Sequence, residues 1–395
     1  MLSRRRFLQS GALAASALTL PLPAISRERK IRVAVFGAGE SGRRHLDAIQ
    51  LLGNTTVVAL CDPVLSRMES LAEGGVKTNE LRTYDSYKKL LDEQQPDVVV
   101  VASPDHWHFE HCLAALKAGA RVLVETLPVL TIEQAEILAR TVSEKGFLVA
   151  VAAPWRCSHS LLQARDIFAR GELGRLERIQ LRARDFDQSL ASQPNMPEGN
   201  VNWDDWLGGV SWPITQRDRL LKKDWQKWRC FSAGIFSGKG FRLLDEAWWI
   251  TGQPEVRSIF AAGASPGRQS QRQLPAKLVA IAELSHGTLE WEHEIGARAP
   301  HRLTREQGFS CLIQGSKGKI QWEQDGPVTF KPNSGRSWTV LPPAHQPLTT
   351  FWKKFLASGS NEEFPASFSQ LLPSTEFALS ILKADISATT LHLPG

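Results

Sequence analysis

The sequence predicts an α/β fold: a Rossmann domain with a doubly wound parallel sheet, followed by an α+β domain with a large antiparallel sheet. Three observations support this prediction. Short apolar runs alternate with amphipathic segments from residue 30 to residue 152, a glycine-rich turn follows the first run, and alternating strand patterns dominate after residue 155. We therefore divide the chain into residues 1–29, 30–152 and 153–395.

Residues 1–29 have the pattern of an export signal and a linker. Residues 3–8 read Ser-Arg-Arg-Arg-Phe-Leu, and a mild apolar stretch from Ser10 to Leu22 is followed by Pro23 and Ala24. An arginine pair followed by Phe-Leu is typical of the twin-arginine route, which exports folded proteins. The apolar stretch is too short to remain in a bilayer as a stable membrane anchor. We expect a periplasmic or secreted protein, with an uncleaved basic tail as the alternative.

Charge and cysteine content narrow the classes of partner. The 395 residues carry a formal net charge of +6, and removal of residues 1–24 with their three arginines would leave +3. No block rich in lysine and arginine remains that would suggest nucleic-acid binding. The five cysteines are scattered and lack metal-type spacing, so we expect neither a disulfide framework nor a metal site.

The first predicted strand leads into a dinucleotide-binding turn. Gly37, Gly39 and Gly42 follow an apolar run in the spacing G-x-G-x-x-G, and helical periodicity begins directly after them. The first glycine allows a tight turn, the second allows the backbone to approach a pyrophosphate, and the third allows the helix to pack on the strand. The helix presents its first N–H groups, near Glu40 and Ser41, to the phosphates.

The second predicted strand ends in an acid with an expected cofactor role. Residues 56–61 are mostly apolar and lead into Asp62, about 20 residues beyond the glycines. That carboxylate would accept hydrogen bonds from the adenosine ribose and repel a 2′-phosphate, which favours NAD. Arg43, Arg44 and Arg67 could offset this repulsion, so NADP stays an alternative cofactor.

The remaining elements follow the same two periodicities. In the first domain we predict helix 84–91, strand 97–102, helix 108–118, strand 121–125, a helix that opens at Thr131, and strand 147–152. In the second domain we predict helix 160–169, strands 178–184, 256–262, 277–284, 288–293, 310–314 and 319–323, helices 348–357 and 368–384, and loops 186–202 and 263–276.

Seven segments together carry the pattern of a known family. They are the glycine turn, Ala102–His108, Val122–Glu125, Gly171–Gly174, Asn202–Gly208, Leu244–Gly252 and Gly315–Ile320. In this order they resemble the glucose–fructose oxidoreductase/inositol dehydrogenase (Gfo/Idh/MocA) family, and especially its secreted, twin-arginine type. Beyond the glycine turn and Asp62, the cofactor contacts we expect along this cleft are Ser103, Pro104, His106, His108, Glu125, Trp155 and Arg156. For the two histidines and Trp155, a packing role is the alternative.

Two positions depart from that family's pattern. The family's Glu-Lys-Pro reads Glu125-Thr126-Leu127 here, so Thr126 stands where the resemblance implies a proton-transferring lysine. The family's His-x-x-Asp reads Arg242-Leu-Leu-Asp245, so Arg242 stands where the resemblance implies a histidine. Neither a threonine hydroxyl nor an arginine guanidinium is a useful base near neutral pH.

Catalysis would therefore need another base. Asp245 and His108 are our candidate catalytic residues, with His106 as a further candidate. We expect Arg242 to pair with Asp245, because a spacing of three residues places both side chains on one face of a helix.

The resemblance implies a function, and the two departures qualify it. It implies an NAD-dependent oxidoreductase that transfers a hydride to or from a small sugar or cyclitol derivative, and assembly as a homo-oligomer. The missing groups favour an alternative, a non-catalytic member that binds dinucleotide and carbohydrate. A third alternative is a lyase or glycosidase that uses bound NAD by transient oxidation, which would also need a base.

Overall fold

The predicted parallel sheet is confirmed. Six strands in the described part of the chain pair in parallel, in the order β3-β2-β1-β4-β5-β6. Their apolar runs are long because helices cover both faces of such a sheet, and every residue of β4 is buried. The strands are β1 (Ile31–Phe36), β2 (Thr55–Cys61), β3 (Arg82–Tyr84), β4 (Val98–Val101), β5 (Arg121–Val124) and β6 (Val149–Val151).

Helices connect these strands in the alternation that the sequence predicts. They are α1 (Glu40–Gln50), α2 (Leu65–Glu73), α3 (Tyr87–Gln94), α4 (His108–Lys117) and α5 (Ile132–Lys145). The start of α5 is fixed by Thr131, whose hydroxyl accepts the backbone N–H of Gln134 at 3.2 Å. One predicted boundary is wrong: Tyr84 ends β3, and the helix expected over residues 84–91 begins at Tyr87.

The structure is a computed structural model that describes residues 29–73, 81–186, 201–214, 217–221, 224–264, 273–296, 308–323, 326–340, 348–387 and 390–392. The predicted export signal lies outside the described residues, as does most of the predicted loops 186–202 and 263–276. From Ile31 onward the described residues pack as one unit. None of the described helices combines the length and apolarity needed to cross a membrane.

A second, mostly antiparallel sheet follows, as predicted. Within the described ranges its nine strands pair in the order β14-β13-β12-β11-β7-β10-β9-β8-β15, and only the β7–β10 pair is parallel. One face of the sheet is buried, so residues along β9 alternate strictly between exposed and buried. The strands are β7 (Leu176–Phe186), β8 (Val256–Ala264), β9 (Lys277–Leu284), β10 (Thr288–Gly296), β11 (Phe309–Gly315), β12 (Gly318–Glu323), β13 (Val328–Pro332), β14 (Trp338–Val340) and β15 (Leu391–His392).

Some helices of this half pack on the second sheet, and others reach back to the first half of the chain. They are α6 (His159–Ala169), α7 (Trp203–Leu207), α8 (Arg217–Leu221), α9 (Lys239–Ile250), α10 (Leu348–Ala357) and α11 (Phe368–Ser387). The segment between α10 and α11 lies along β6, where the Val151 N–H donates to the carbonyl of Ala366 at 2.8 Å. This contact protects the edge of the parallel sheet with residues from the far end of the chain.

A buried ion pair joins three separate segments. The Arg156 guanidinium donates to both carboxylate oxygens of Asp245 on α9, at 2.6 and 2.9 Å, and both side chains are fully buried. Its remaining terminal nitrogen donates to the carbonyls of Pro365 and Gln370, each at 3.0 Å. The predicted pair between Arg242 and Asp245 is therefore wrong, because Arg156 occupies that carboxylate.

We expect the substitution Arg156→Met to destabilise the fold by about 3–5 kcal/mol, because it leaves the Asp245 carboxylate buried without its cation. Urea unfolding followed by circular dichroism measures this change. Arg170→Met is the matched control: it removes an exposed pair with Asp166 and should leave the unfolding midpoint nearly unchanged. Equal midpoints for the two variants would contradict the assignment.

Candidate functional site

The glycine turn has the geometry that a bound pyrophosphate needs. Gly37 has φ +99°, and a Cβ at this position would lie 2.3 Å from the Ala102 carbonyl oxygen. A Cβ on Gly42 would lie 1.9 Å from the carbonyl oxygen of Gly37, so α1 packs too closely for any other residue. Gly39 precedes α1 with no protein atom within 4 Å of its Cβ position, and no side chain caps the helix. Open space thus adjoins the N–H groups around Glu40 and Ser41, which suits a phosphate.

Asp62, which follows β2, stabilises this turn through hydrogen bonds to its carboxylate. One carboxylate oxygen accepts the Ala38 N–H at 2.7 Å, and the other accepts the Val64 N–H at 2.8 Å. Burial raises the pKa of Asp62, while the charge of Arg67 and these two hydrogen bonds oppose the rise. Asp62 therefore holds the glycine turn in place as well as bordering the space beside it.

An open cavity lies where β1, β2, β3 and β4 end. Residues that follow each strand line it, and α7 supplies the opposite wall: Gly37, Asp62, Asp85, Ser103, Asp205 and Trp206. In a doubly wound sheet, ligands bind at the carboxyl ends of the strands, and the acid after the second strand faces the adenosine ribose. The cavity therefore has the position of an adenosine site.

Aromatic rings form one wall of this cavity. The His111 ring stacks on Trp107 with centroids 5.0 Å apart, and Tyr87 packs against His111 at 4.6 Å. The Ser103 hydroxyl lies 3.0 Å from His111 Nδ1. Burial, with the nearby charges of His108 and His106, holds the pKa of His111 well below its ordinary value. The aromatic part of the wall is therefore uncharged near neutral pH.

The segment after β4 carries four predicted contacts, and only two of them line the cavity. Ser103 and Pro104 do so. The two nitrogens of His108 lie 2.7 Å from the carbonyls of Leu127 and Ser103, so its ring joins two loops of the backbone. His106 Nε2 lies 3.0 Å from the Trp206 carbonyl, and burial lowers the pKa of His106 to about 4. The placement of His108 argues against its predicted role as proton acceptor.

Glu125, at the end of β5, is held by a hydrogen-bonded chain that the sequence analysis missed. The Trp352 indole N–H on α10 donates to His45 Nδ1 at 3.1 Å. The His45 proton must then sit on Nε2, which donates to the Glu125 carboxylate at 3.2 Å. Burial raises the pKa of Glu125, but the His45 hydrogen bond and the charge of Arg44 outweigh it and lower that pKa. Glu125 is thus ionised, with 18% of its side chain exposed.

Thr126 lies next to Glu125 and faces the second half of the chain. Its hydroxyl donates to the Ser237 carbonyl at 3.3 Å, and the peptide bond between Thr126 and Leu127 is cis. Beside it, Ser232 and Ser237 both donate hydroxyl hydrogen bonds to the buried carboxylate of Asp105. These contacts join the loops after β4 and β5 to the segment that precedes α9.

Arg242 and Asp245 on α9 have different partners from those predicted. The Nε of Arg242 donates to Glu246 at 2.8 Å, and Glu246 also accepts the indole N–H of Trp322 at 2.9 Å. Asp245 is bound by Arg156 and by the Trp155 indole N–H at 2.7 Å. The fully buried positions of Arg156 and Asp245 argue against a cofactor contact for the first and a proton-acceptor role for the second.

The structure thus brings the glycine turn, Asp62, Ser103 and Pro104 together around one cavity. Glu125 lies outside that lining and contacts Arg44 and His45 on α1. Trp155, Arg156 and Asp245 form a separate ion-pair cluster. His45 could have been noticed as a lone histidine one turn into the glycine-linked helix. No sequence signal connects it to Trp352, which is 307 positions away. Among the described residues, no group of three or more His, Cys, Asp or Glu side chains is placed to hold a metal.

Comparison with known proteins finds a family model that matches the first half of this structure. Residues 31–153 match the GFO_IDH_MocA model, described as an oxidoreductase family with an NAD-binding Rossmann fold. The D-glucoside 3-dehydrogenase of Escherichia coli (strain K12) is 34% identical over 232 residues, and the match spans 58% of this chain and 57% of that protein. The glucose-6-phosphate 3-dehydrogenase of Bacillus subtilis (strain 168) is 25% identical over 301 residues, which are 76% of each chain.

Solved structures share the fold over nearly the whole chain. The WlbA dehydrogenase from Bordetella pertussis, in complex with NADH and UDP-GlcNAcA, superposes with a TM-score of 0.68 at 18% identity. That superposition covers 93% of this chain and 99% of the other. The match to the model of NAD-binding Gfo/Idh/MocA oxidoreductases therefore covers residues 31–153, the part of this chain that forms the Rossmann-type parallel sheet and the glycine turn.

Proposed function

We propose that this protein is an NAD-dependent oxidoreductase that transfers a hydride to or from a carbinol carbon of a sugar or cyclitol derivative. The observation that carries the proposal is Glu125, an ionised and partly exposed carboxylate held at the open end of the NAD-binding fold. The names of two relatives, a D-glucoside 3-dehydrogenase and a glucose-6-phosphate 3-dehydrogenase, support a sugar substrate.

Different residues of the site bind different parts of the cofactor. The N–H groups at the start of α1 bind the pyrophosphate beside Gly39, where the structure leaves open space. Asp62 accepts hydrogen bonds from the adenosine ribose, and Glu125 accepts them from the ribose beside the nicotinamide. NAD, when bound, supplies the carbon that exchanges a hydride with the substrate.

A second candidate function is a non-catalytic protein that binds NAD and a carbohydrate. The observation that favours it is that the candidate bases already have protein partners at their polar atoms. Both nitrogens of His108 lie on backbone carbonyls, and Asp245 is enclosed by Arg156 and Trp155. Glu125 keeps part of its side chain exposed, but a lowered pKa makes its carboxylate a weak base.

We also propose that the protein is exported in folded form to the periplasm or beyond, because residues 3–8 match the twin-arginine pattern. Assembly as a homo-oligomer is supported by apolar side chains that lie exposed on the second sheet: Phe260, Val279 and Ile281.

We expect His45→Ala to weaken NAD binding by about three- to tenfold, because the Glu125 carboxylate loses its charge-assisted hydrogen bond. The pKa of Glu125 should rise when burial is no longer opposed, so the acid-side loss of affinity should move to higher pH. Calorimetric titration with NAD across a pH series measures both effects. His45→Gln keeps an N–H donor and should restore most of the affinity, and His159→Ala, an exposed histidine on α6, should change nothing. An unchanged pH profile in His45→Ala would contradict this role.

We expect the wild type to oxidise one or more members of a panel of glucosides, glucose 6-phosphate and inositols slowly, and Thr126→Lys to raise kcat by about a hundredfold by restoring a proton-transferring group. Formation of reduced nicotinamide measures the rate. The double variant Thr126→Lys/Arg242→His extends the test, and Lys117→Arg on the exposed end of α4 is the control. NAD binding without turnover in all of these variants would favour the non-catalytic function.

We expect the substitution of Arg4 and Arg5 by lysine to retain the protein in the cytoplasm of a host that has the twin-arginine route. Immunoblotting of periplasmic and cytoplasmic fractions measures the distribution. Replacement of Arg29 by lysine, downstream of the apolar stretch, is the control. Equal distribution of the two variants would count against this route.

A further inference from the structure

The adenosine cavity is completed by residues from the second half of the chain. Val201, just before α7, forms an antiparallel bridge with Val64, and the Asn202 N–H donates to the Pro63 carbonyl at 2.9 Å. At the other end of α7, the Trp206 carbonyl accepts the indole N–H of Trp107 at 3.1 Å. Helix α7 is thus fixed at both ends across the mouth of the cavity.

Asp205 has a defined orientation on this helix. The backbone N–H of Asp205 donates to the side-chain oxygen of Asn202, and the Asn202 side-chain amide donates back to the Asp205 carboxylate at 2.8 Å. This reciprocal arrangement caps the helix and holds the carboxylate at the cavity wall. Its neighbour Asp204 lies on the same short helix but does not line the cavity.

The cavity wall carries an excess of negative charge. Its lining includes three carboxylates, Asp62, Asp85 and Asp205, and one cation, Arg67, so two negative charges remain. Arg67 lies 4.0 Å from Asp62 and donates to the Leu221 carbonyl at 3.4 Å, which directs its charge toward Asp62. Burial, then the charge of Asp85 and then that of Asp204 raise the pKa of Asp205, and the charge of the exposed Lys88 opposes them. Asp85 and Asp205 therefore repel each other across the cavity.

We propose that Asp205, together with Asp85, determines the choice of cofactor: the cavity accepts the adenosine of NAD and rejects the 2′-phosphate of NADP. A phosphate at the 2′ position would add charge to a wall that already holds two uncompensated carboxylates. The unmodified ribose and adenine instead offer hydroxyl and amino donors, which carboxylates accept. This inference rests on the proposed NAD binding, but it does not depend on turnover.

Equilibrium titration of the full-length protein with NAD and with NADP tests the proposal. At low salt we expect the wild type to prefer NAD. Asp205→Asn should tighten NADP binding by about three- to fivefold and the double variant Asp85→Asn/Asp205→Asn by about tenfold, so that the ratio of the NADP to the NAD dissociation constant falls. Asp204→Asn removes the same charge outside the cavity and should have a clearly smaller effect. In about 1 M salt the differences should shrink, since the Debye length is then about 3 Å.

The outcomes separate this inference from the function on which it rests. Failure of the wild type to bind either nucleotide would overturn both. NAD binding with the same preference in wild type, Asp205→Asn and the double variant would overturn the role of the acid pair alone. Equal effects of Asp204→Asn and Asp205→Asn would show a general charge effect and also overturn it. Circular dichroism spectra of the variants check that the substitutions at these exposed aspartates leave the fold intact.

Discussion

The cofactor site depends on a single constraint: a carboxylate must stay ionised at the end of a buried parallel strand. The Glu125 carboxylate accepts a hydrogen bond from His45 on α1, and His45 in turn accepts one from the Trp352 indole on α10. The Trp352 indole N–H and both nitrogens of His45 have a partner, so burial of these groups costs little and the tautomer of the imidazole is fixed. Because one partner comes from α10, the nucleotide-binding fold is complete only when the end of the chain has docked.

Buried polar side chains need hydrogen-bond partners, and this need explains why few of them are free to accept a proton from a substrate. His108 and Asp245 are polar side chains of the right type, yet each is buried and forms its hydrogen bonds with the protein itself. A base that takes a substrate proton needs an accessible lone pair, whereas both nitrogens of His108 face backbone carbonyls and both carboxylate oxygens of Asp245 are bound by Arg156. These buried polar side chains therefore stabilise the fold, and chemistry at the site would fall to groups that stay accessible, such as Glu125.

Sequence reasoning was strong where a local pattern determines the structure. The glycine spacing, the apolar runs and the alternation in β9 identified both sheets, because backbone conformation and burial follow from residues close in sequence. It failed where partners are distant. A three-residue spacing correctly put Arg242 and Asp245 on one helix, but it could not show that Arg156 reaches Asp245 first or that Arg242 turns to Glu246. Periodicity reveals which face is buried, whereas pairing depends on tertiary contacts.

Both ends of the nucleotide site are closed by contacts between the two halves of the chain. At the adenosine end, the Trp206 carbonyl is bound by the segment after β4. At the other end, Asp105 and Thr126 bind the segment before α9 through Ser237. Because the two halves are held by contacts at both ends of the site, its walls are in place before a ligand binds. Binding then costs little conformational entropy in the protein. The nucleotide is then selected by charges already fixed in the wall, and Asp205 can act on it although it lies outside the Rossmann fold.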